Sequence, residues 1–272
     1  MTHPAARPAV FIHGLWMHSS SWAPWVERFE QAGYQAFAPG WPGEGETPEA
    51  TRANPAGLRD RGLGEVTDHY ATFIADLPMP PIVVGHSFGG LIAQKLLGAG
   101  FASACVALAP APFKGVLVVP PAQVRSVLPI LSKPWRRGGL WSHTSDSYHR
   151  FFANGIAREE SDRLYARFAI PAPARPVFQA GLANVTPRSE ASVDTESDRG
   201  PLLMVAGGLD RLVPQASVRA AYGIQRRNPG ITELVLLPDR CHSLSADHRW
   251  REIADTALEF LARNNLSAQV FS

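Results

Sequence analysis

The chain has 272 residues, of which 45% are hydrophobic and 18% are charged. This length is enough for a full hydrophobic core, and it predicts one large domain or two small ones. The formal net charge is only +2, and the basic residues, nearly all arginine, form no run. Composition therefore argues against nucleic acid or an anionic membrane as a partner.

No apolar stretch approaches the roughly 20 residues that a membrane-spanning helix needs. Residues 1–8 contain one arginine and no apolar core of a signal peptide. Cys105 and Cys241 give only a weak disulfide signal, and the apolar run around Cys105 is typical of a buried free thiol. We therefore expect a cytoplasmic protein. The use of arginine over lysine, with frequent alanine, indicates a GC-rich bacterial genome.

Six short apolar runs, each bounded by turn residues, predict the strands of one sheet. Because polar residues do not alternate within them, the runs are typical of parallel strands that are covered on both faces. In chain order they are Ala9–Ile12, Gln35–Ala38, Pro81–Val84, Ala104–Leu108, Leu202–Ala206 and Glu233–Leu237.

Helical patterns fill the gaps between these strands. Ser21–Ala32 has aromatic and aliphatic residues at helical spacing, and Gly33 is a suitable residue to end this helix. The other predicted helices are Leu63–Leu77, Phe88–Leu97, Pro214–Tyr222 and Trp250–Arg263. The alternation predicts an α/β fold, with a doubly wound and mostly parallel sheet.

Residues 113–200 interrupt this alternation, because they contain many prolines and aromatics but no comparable strand. The stretch is too long for a simple connection, and its aromatic content argues against disorder. Within it, Ser161–Phe168 has a helical pattern, with Ser161 as a candidate N-cap. We expect residues 113–200 to form a helical cap, inserted into a core made of residues 1–112 and 201–272.

Residues Gly85–Gly89 match the pattern G-x-S-x-G between a predicted strand and a predicted helix. So tight a reversal strains the backbone at the serine, and the two glycines avoid clashes that side chains would cause. The turn places the Ser87 hydroxyl at the carboxyl end of the sheet. It also places the Phe88 N–H at a helix N-terminus, where it can face a developing oxyanion. In this setting the motif predicts a nucleophilic serine.

With three further motifs, the chain resembles the α/β-hydrolase superfamily from Val10 to about Leu261. Phe11–Gly14 is similar to the family's oxyanion-loop motif, Gly207–Pro214 to its acid loop, and Leu237–Ser243 to its histidine loop. The order serine, aspartate, histidine is also the family's order.

The sequence departs from the superfamily pattern in two places. Only about eight residues precede the first strand, so the chain resembles the short branch that includes plant hydroxynitrile lyases, methylesterases and some bacterial esterases. The loop Gly40–Thr47, which shapes the site entrance in relatives, has Trp41 and Thr47 where relatives often have aspartate and serine.

The motifs assign three catalytic roles. We expect Ser87 to be the nucleophile, His242 to be the general base and then the general acid, and Asp210 to orient the imidazole. His248 lies too near the last helix and Asp239 lies in the histidine's own loop, so both are weaker candidates.

The oxyanion hole is expected to use the backbone N–H of Phe88 and that of Leu15 or Trp16, each typically worth ~3 kcal/mol in the transition state. His13 is expected to hold this loop by hydrogen bonds, and His86 to pack beside the nucleophile. Aromatic residues are the candidates for substrate binding, namely Trp16, Phe88, Trp135, Trp141, Phe151 and Phe152.

Taken together, these residues predict a cofactor-free serine hydrolase that cleaves an ester, thioester or lactone of a small to medium hydrophobic substrate. Motifs for metal or nucleotide binding are absent from the sequence. Because position 87 is serine, a dehalogenase or epoxide hydrolase with a carboxylate nucleophile is disfavoured. A hydroxynitrile lyase using Lys114, a perhydrolase, an acyltransferase and a ligand-binding protein stay open, as does a homodimer.

Overall fold

The computed structural model describes residues 6–268. The strands are β1 (Pro8–Ile12), β2 (Gln35–Phe37), β3 (Ile82–His86), β4 (Ala104–Leu108), β5 (Leu140–Trp141), β6 (Ala172–Pro173), β7 (Leu202–Gly207) and β8 (Thr232–Leu237). Six of them form a parallel main sheet in the order β2-β1-β3-β4-β7-β8, and β5 pairs with β6 in a separate antiparallel ribbon.

Helices connect the strands, and the predicted α/β fold with a doubly wound parallel sheet is confirmed. Within residues 6–268, none of the helices has the length and apolar character needed to cross a membrane. The helices are α1 (Ala23–Gln31), α2 (Pro48–Ala53), α3 (Leu63–Ala75), α4 (Phe88–Gly98), α5 (Pro121–Leu131), α6 (Ser145–Phe151), α7 (Arg158–Phe168), α8 (Arg175–Gly181), α9 (Gln215–Gln225) and α10 (Trp250–Arg263).

The two faces of the sheet carry two separate hydrophobic cores. On one face the strands pack against α1 and α10, where the Trp25 and Trp250 rings lie 6.1 Å apart. On the other face they pack against α3, α4 and α9. The four central strands are fully buried, whereas the edge strands β2 and β8 are partly exposed. Cys105 and Cys241 are both buried free thiols.

Residues 113–200, called the cap segment below, connect β4 to β7 and contain α5 to α8 with the β5–β6 ribbon. That they form a distinct cap domain stays a prediction. The expected N-cap was wrong: α7 begins at Arg158 after Ala157, and Ser161 is buried inside the helix. The first turn instead contains Glu159 and Glu160, whose charges suit the positive end of the helix dipole.

Candidate active site

Ser87 lies between β3 and α4, in a backbone conformation that the surrounding structure must hold. Its φ of 56° and ψ of −121° fall in a region that costs an L-residue about 1–3 kcal/mol. The Ser87 N–H donates to the Leu108 carbonyl at 2.9 Å, and its carbonyl accepts from the Ala111 N–H at 2.9 Å. The neighbouring strand β4 and the residues after it therefore fix the turn that presents the serine.

Three glycines give this turn the space that it needs. A Cβ atom on Gly85 would lie 2.1 Å from the Gly89 carbonyl oxygen, and one on Gly89 would lie 2.0 Å from the Ile12 carbonyl oxygen. On Gly14, after β1, a Cβ atom would lie 2.7 Å from the Ser87 Cβ atom. The loop that follows β1 thus passes directly against the serine.

The structure brings His242 and Asp210 together at the carboxyl ends of the parallel strands, where Ser87 also lies. This end of the sheet is called the sheet edge below. Asp210 follows β7, and His242 begins a short 3₁₀ turn after β8. The His242 Nδ1–H donates to Asp210 Oδ2 at 2.6 Å, and both side chains are at most 1% exposed. The other carboxylate oxygen accepts from the N–H groups of Leu212 and Val213, each at 2.8 Å. Because Nδ1 holds the proton, Nε2 of a neutral His242 is left as a proton acceptor.

The two weaker candidates from the sequence lie elsewhere. The His248 side chain is 60% exposed, and its Nδ1 lies 2.8 Å from Glu160. Asp239 is exposed and forms an ion pair with Arg249. Both are therefore engaged at the surface, away from the buried histidine–aspartate pair.

Between residues 6 and 268, no hydrogen bond joins Ser87 Oγ to the His242 ring, although the two residues share a neighbour in His86. The His86 Nε2–H donates to the His242 carbonyl at 2.9 Å, and the two ring centroids lie 4.5 Å apart. Burial, together with the nearby His242, holds the pKa of His86 well below its usual range, so His86 is neutral. Catalytic hydrogen bonds are often long in the free enzyme and tighten when substrate binds.

Of the predicted oxyanion-hole residues, Trp16 and Phe88 line the same cavity as Ser87, and Leu15 follows Gly14, which passes close to the serine. Trp16 has a φ of 67°, so the loop after β1 is also held in a strained conformation. Across the described part of the chain, the backbone N–H groups of Leu15, Trp16 and Phe88 donate to no protein acceptor. Unpaired N–H groups beside the N-terminus of α4 are suited to an anion.

A buried carboxylate that the sequence analysis missed lies behind this loop. Glu44 lies 2.9 Å from His13 Nε2 and 3.4 Å from His18 Nε2, and its side chain is 2% exposed. Burial alone would raise its pKa, but the charges and hydrogen bonds of His13, His18 and Ser19 lower the pKa of Glu44 to about 2. The available signal was an acid in the glycine-rich loop at 40–47, together with two histidines in the facing loop.

A cavity of about 180 Å³ opens beside Ser87 between the core and the cap segment. Trp16 and Phe88 form part of the core side, and α5 and α8 form the opposite side. Most of the wall is aliphatic, and these side chains are Val116, Val118, Val119, Val124, Val127, Leu131, Val177, Leu212 and Val213.

Four of the aromatic residues predicted to bind substrate are not at this cavity. Trp135 is 77% exposed and borders a separate surface recess. Trp141, Phe151 and Phe152 pack in the hydrophobic core on the face of the sheet that carries α3, α4 and α9, and Phe152 lies edge-on to His242 at 4.8 Å. Three of these four large rings are used for packing, and a role for any of the four in substrate binding stays a prediction. The run Val116–Val119 was the sequence signal for the aliphatic wall.

Two other expectations concern ions and ligands. The Lys114 ammonium, the candidate for a lyase, donates to the carbonyls of Thr186 and Pro187 at 2.9 and 2.7 Å. It is therefore engaged within the cap segment. Across residues 6–268, no group of three or more histidine, cysteine or acidic side chains is arranged to hold a metal ion.

A parallel sheet that presents a serine elbow and a buried histidine–aspartate pair at one edge defines the class of α/β hydrolases. Residues 9–262 match the model of the alpha/beta hydrolase family, and the chain belongs to that family. No curated protein matches the chain in sequence.

Solved structures share this fold over nearly their whole length. A monoacylglycerol lipase from Paleococcus ferrophilus has a TM-score of 0.65 at 19% identity, with 96% of this chain and 97% of that chain covered. An extracellular alpha/beta-hydrolase from a Paenibacillus species has a TM-score of 0.67 at 15% identity, with 93% and 98% covered. A methylesterase from Arabidopsis has a TM-score of 0.60 at 16% identity, with 94% and 99% covered. At these identities the likeness shows the fold alone.

Proposed function

We propose that this protein is a cofactor-free serine hydrolase that cleaves a carboxylic ester of a small to medium apolar substrate through an acyl-enzyme on Ser87. One observation carries the proposal. The strained Ser87 elbow lies at the same edge of the sheet as the buried His242–Asp210 pair, whose hydrogen bond leaves His242 Nε2 free to accept a proton. A serine hydroxyl is a weak nucleophile unless such a base is beside it.

In the first half of the reaction, Ser87 Oγ attacks the ester carbonyl carbon while its proton passes to His242 Nε2. The hydrogen bond between these atoms forms when substrate binds. The carbonyl oxygen becomes an oxyanion and accepts hydrogen bonds from the Phe88 N–H and from the N–H of Leu15 or Trp16. Asp210 stabilises the imidazolium that results, and His242 then returns the proton to the leaving alcohol.

In the second half, water attacks the acyl-enzyme while His242 Nε2 takes a proton from it. The tetrahedral intermediate uses the same N–H donors, and its collapse returns the proton to Ser87 Oγ and releases the carboxylic acid. Each half therefore balances its protons through His242 alone, and no step requires a metal or an organic cofactor.

The cavity supports an apolar substrate group. Its wall is mostly aliphatic, so a hydrocarbon group placed there leaves water and contacts side chains of like character. Neighbours in fold that are named as a monoacylglycerol lipase and a methylesterase support ester cleavage as the chemistry. Thioesters and lactones react through the same tetrahedral intermediate, and we include them in the substrate panel below.

The test is labelling with a fluorophosphonate probe, followed by the intact mass of the protein. We expect one adduct on the wild type, none on Ser87→Ala or His242→Ala, and an adduct on His248→Ala, the matched surface control. Hydrolysis of 4-nitrophenyl esters should fall by about 10⁴-fold or more in Ser87→Ala.

A wild type that neither reacts with the probe nor hydrolyses any ester, thioester or lactone would contradict the proposal. A ligand-binding member of the fold would then be favoured. Turnover that persists in Ser87→Ala would also contradict it, because the acyl-enzyme would lack its attachment point.

A further inference from the structure

We infer that Glu44 is a positioning residue of the oxyanion hole, whose buried carboxylate fixes residues 13–20 against Ser87. This inference rests on the proposed function, because an oxyanion hole has a role only where an oxyanion forms. It concerns a residue that does not touch the substrate and acts through the loop that does.

The Glu44 carboxylate contacts both ends of the loop. Its Oε2 atom lies 2.9 Å from Nε2 of His13, at the start of the loop. Its Oε1 atom accepts a hydrogen bond of 3.0 Å from the Ser19 N–H, six residues further on. The residues between these two contacts include Leu15 and Trp16. One rigid acceptor group therefore determines how far apart the two ends of the loop lie.

The two histidines near Glu44 make different contacts. His13 Nδ1 lies 2.8 Å from the Gly14 carbonyl, while its Nε2 faces Glu44. Both ring nitrogens of His13 thus face oxygen atoms. His18 differs, because its Nδ1 accepts from the Ser20 N–H at 3.0 Å and its Nε2–H donates to the Gly45 carbonyl at 3.0 Å.

The buried cluster therefore places one carboxylate against a ring nitrogen of His13 and the backbone N–H of Ser19. Removing a buried acceptor leaves its polar neighbours without a partner, which costs their desolvation. The pKa of Glu44, lowered to about 2, is consistent with a carboxylate that stays ionised in this position.

Two contacts connect the cluster to the serine. The Trp41 Nε1–H donates to the His13 carbonyl at 3.0 Å, which holds the backbone just before Gly14. Gly14 itself passes so close to Ser87 that a Cβ atom there would lie 2.7 Å from the serine's Cβ atom. Trp16, with its strained φ of 67°, keeps that conformation only while its neighbours hold it. Without the Glu44 carboxylate, the loop N–H groups lose their alignment with the oxyanion.

The test compares Glu44→Gln with Glu46→Gln, an exposed acid two residues away in the same loop. Each variant is assayed with 4-nitrophenyl butyrate and with a trifluoromethyl ketone, whose adduct with Ser87 places an oxyanion in the hole. For Glu44→Gln we expect kcat to fall 10- to 100-fold, KM to change less than threefold, and the ketone to bind more weakly by the same factor as kcat/KM. For Glu46→Gln we expect all three values within twofold of the wild type.

A purely structural role for Glu44 would reduce the folded fraction and leave the affinity of the remaining sites for the ketone unchanged, and that result overturns the inference. Equal kinetics in the two variants overturns it as well. If Glu44→Gln does not fold, Trp41→Phe replaces it and should show the same paired loss at two- to fivefold. A Trp41→Phe variant that matches the wild type overturns the inference.

These outcomes are distinct from a failure of the proposed function. If the wild type neither turns over esters nor reacts with the fluorophosphonate probe, the function and this inference fall together. If the wild type is active through Ser87 and Glu44→Gln matches Glu46→Gln, only the inference falls.

Discussion

The sheet edge and the cap segment contribute to the same site by different physical means. At the sheet edge, each reactive group follows directly from the end of a parallel strand, and its backbone is held by neighbouring strands. In the cap segment, the helices α5 and α8 and the residues before α5 shape a cavity wall with side chains from distant positions.

The difference shows which properties depend on local geometry. At Gly89 an added Cβ atom would lie 2.0 Å from a carbonyl oxygen, so no larger residue fits there without a backbone shift, and the geometry of the edge is tightly constrained. A wall of valines and leucines tolerates many aliphatic substitutions at similar volume. We therefore expect changes at the edge to affect rate, and changes in the cap segment to affect stability and substrate preference.

The largest effect is expected for Asp210→Asn. The asparagine carbonyl can still accept from the Leu212 and Val213 N–H groups, so the fold should persist. Its amide cannot accept the His242 Nδ1–H bond as the carboxylate does, which favours the wrong tautomer and should lower kcat by about 10⁴-fold. Steady-state hydrolysis of 4-nitrophenyl butyrate measures it, with Asp239→Asn as the control, expected within twofold of the wild type. If kcat falls less than tenfold in Asp210→Asn, catalysis does not depend on the Asp210 carboxylate.

A second prediction concerns His143, a buried group of the cap segment that contacts the edge. Its ring lies 4.6 Å from that of Trp16, and its Nδ1 lies 2.9 Å from Ser147 Oγ. Burial, with a smaller contribution from nearby His242, lowers the pKa of His143 from 6.5 to about 4. In the unfolded chain the group binds its proton near pH 6.5, so between pH 6.5 and 4 the unfolded state holds more protons.

The free energy of unfolding should therefore fall as the pH falls through this window, and His143 alone should contribute about 2 kcal/mol of that loss by pH 4.5. Urea unfolding at pH 7 and pH 4.5 measures it. His143→Gln should show a smaller difference between the two pH values, whereas His69→Gln, at an exposed histidine, should match the wild type. If His143→Gln loses as much unfolding free energy between pH 7 and pH 4.5 as the wild type does, the prediction is wrong.

The strands and the catalytic residues at the sheet edge could be predicted from the sequence because short motifs identify them. Uninterrupted apolar runs identify parallel strands, and a glycine on each side of Ser87 identifies the elbow. The pairing of Asp210 with His242 joins residues 32 positions apart, yet both follow core strands, so topology brings them to one edge.

The cap segment and the Glu44 cluster could not be predicted in the same way. In the cap segment, aromatic residues fit either a cavity wall or a packed core, and composition does not distinguish the two. Tyr148 and Phe152 stack at 4.6 Å inside the core, while valines around position 118 face the cavity. Glu44 and His13 lie on separate loops, and no periodic pattern records the contact between them.

The smallest effect is expected inside the cavity, from two neighbouring residues of α5. Val127 lines the cavity, whereas Leu128 is 53% exposed on the same helix. Val127→Phe adds volume where the acyl chain lies, so kcat/KM for a 4-nitrophenyl octanoate should fall about tenfold, which corresponds to the ~1–3 kcal/mol typical of a misfitted apolar group. Activity on the acetate should stay within threefold. Leu128→Phe and Trp135→Ala should leave the ratio of octanoate to acetate activity unchanged, because neither side chain lines the cavity. If the ratio of octanoate to acetate activity changes in Trp135→Ala and not in Val127→Phe, the substrate chain contacts Trp135, as the sequence predicted, and not the aliphatic wall.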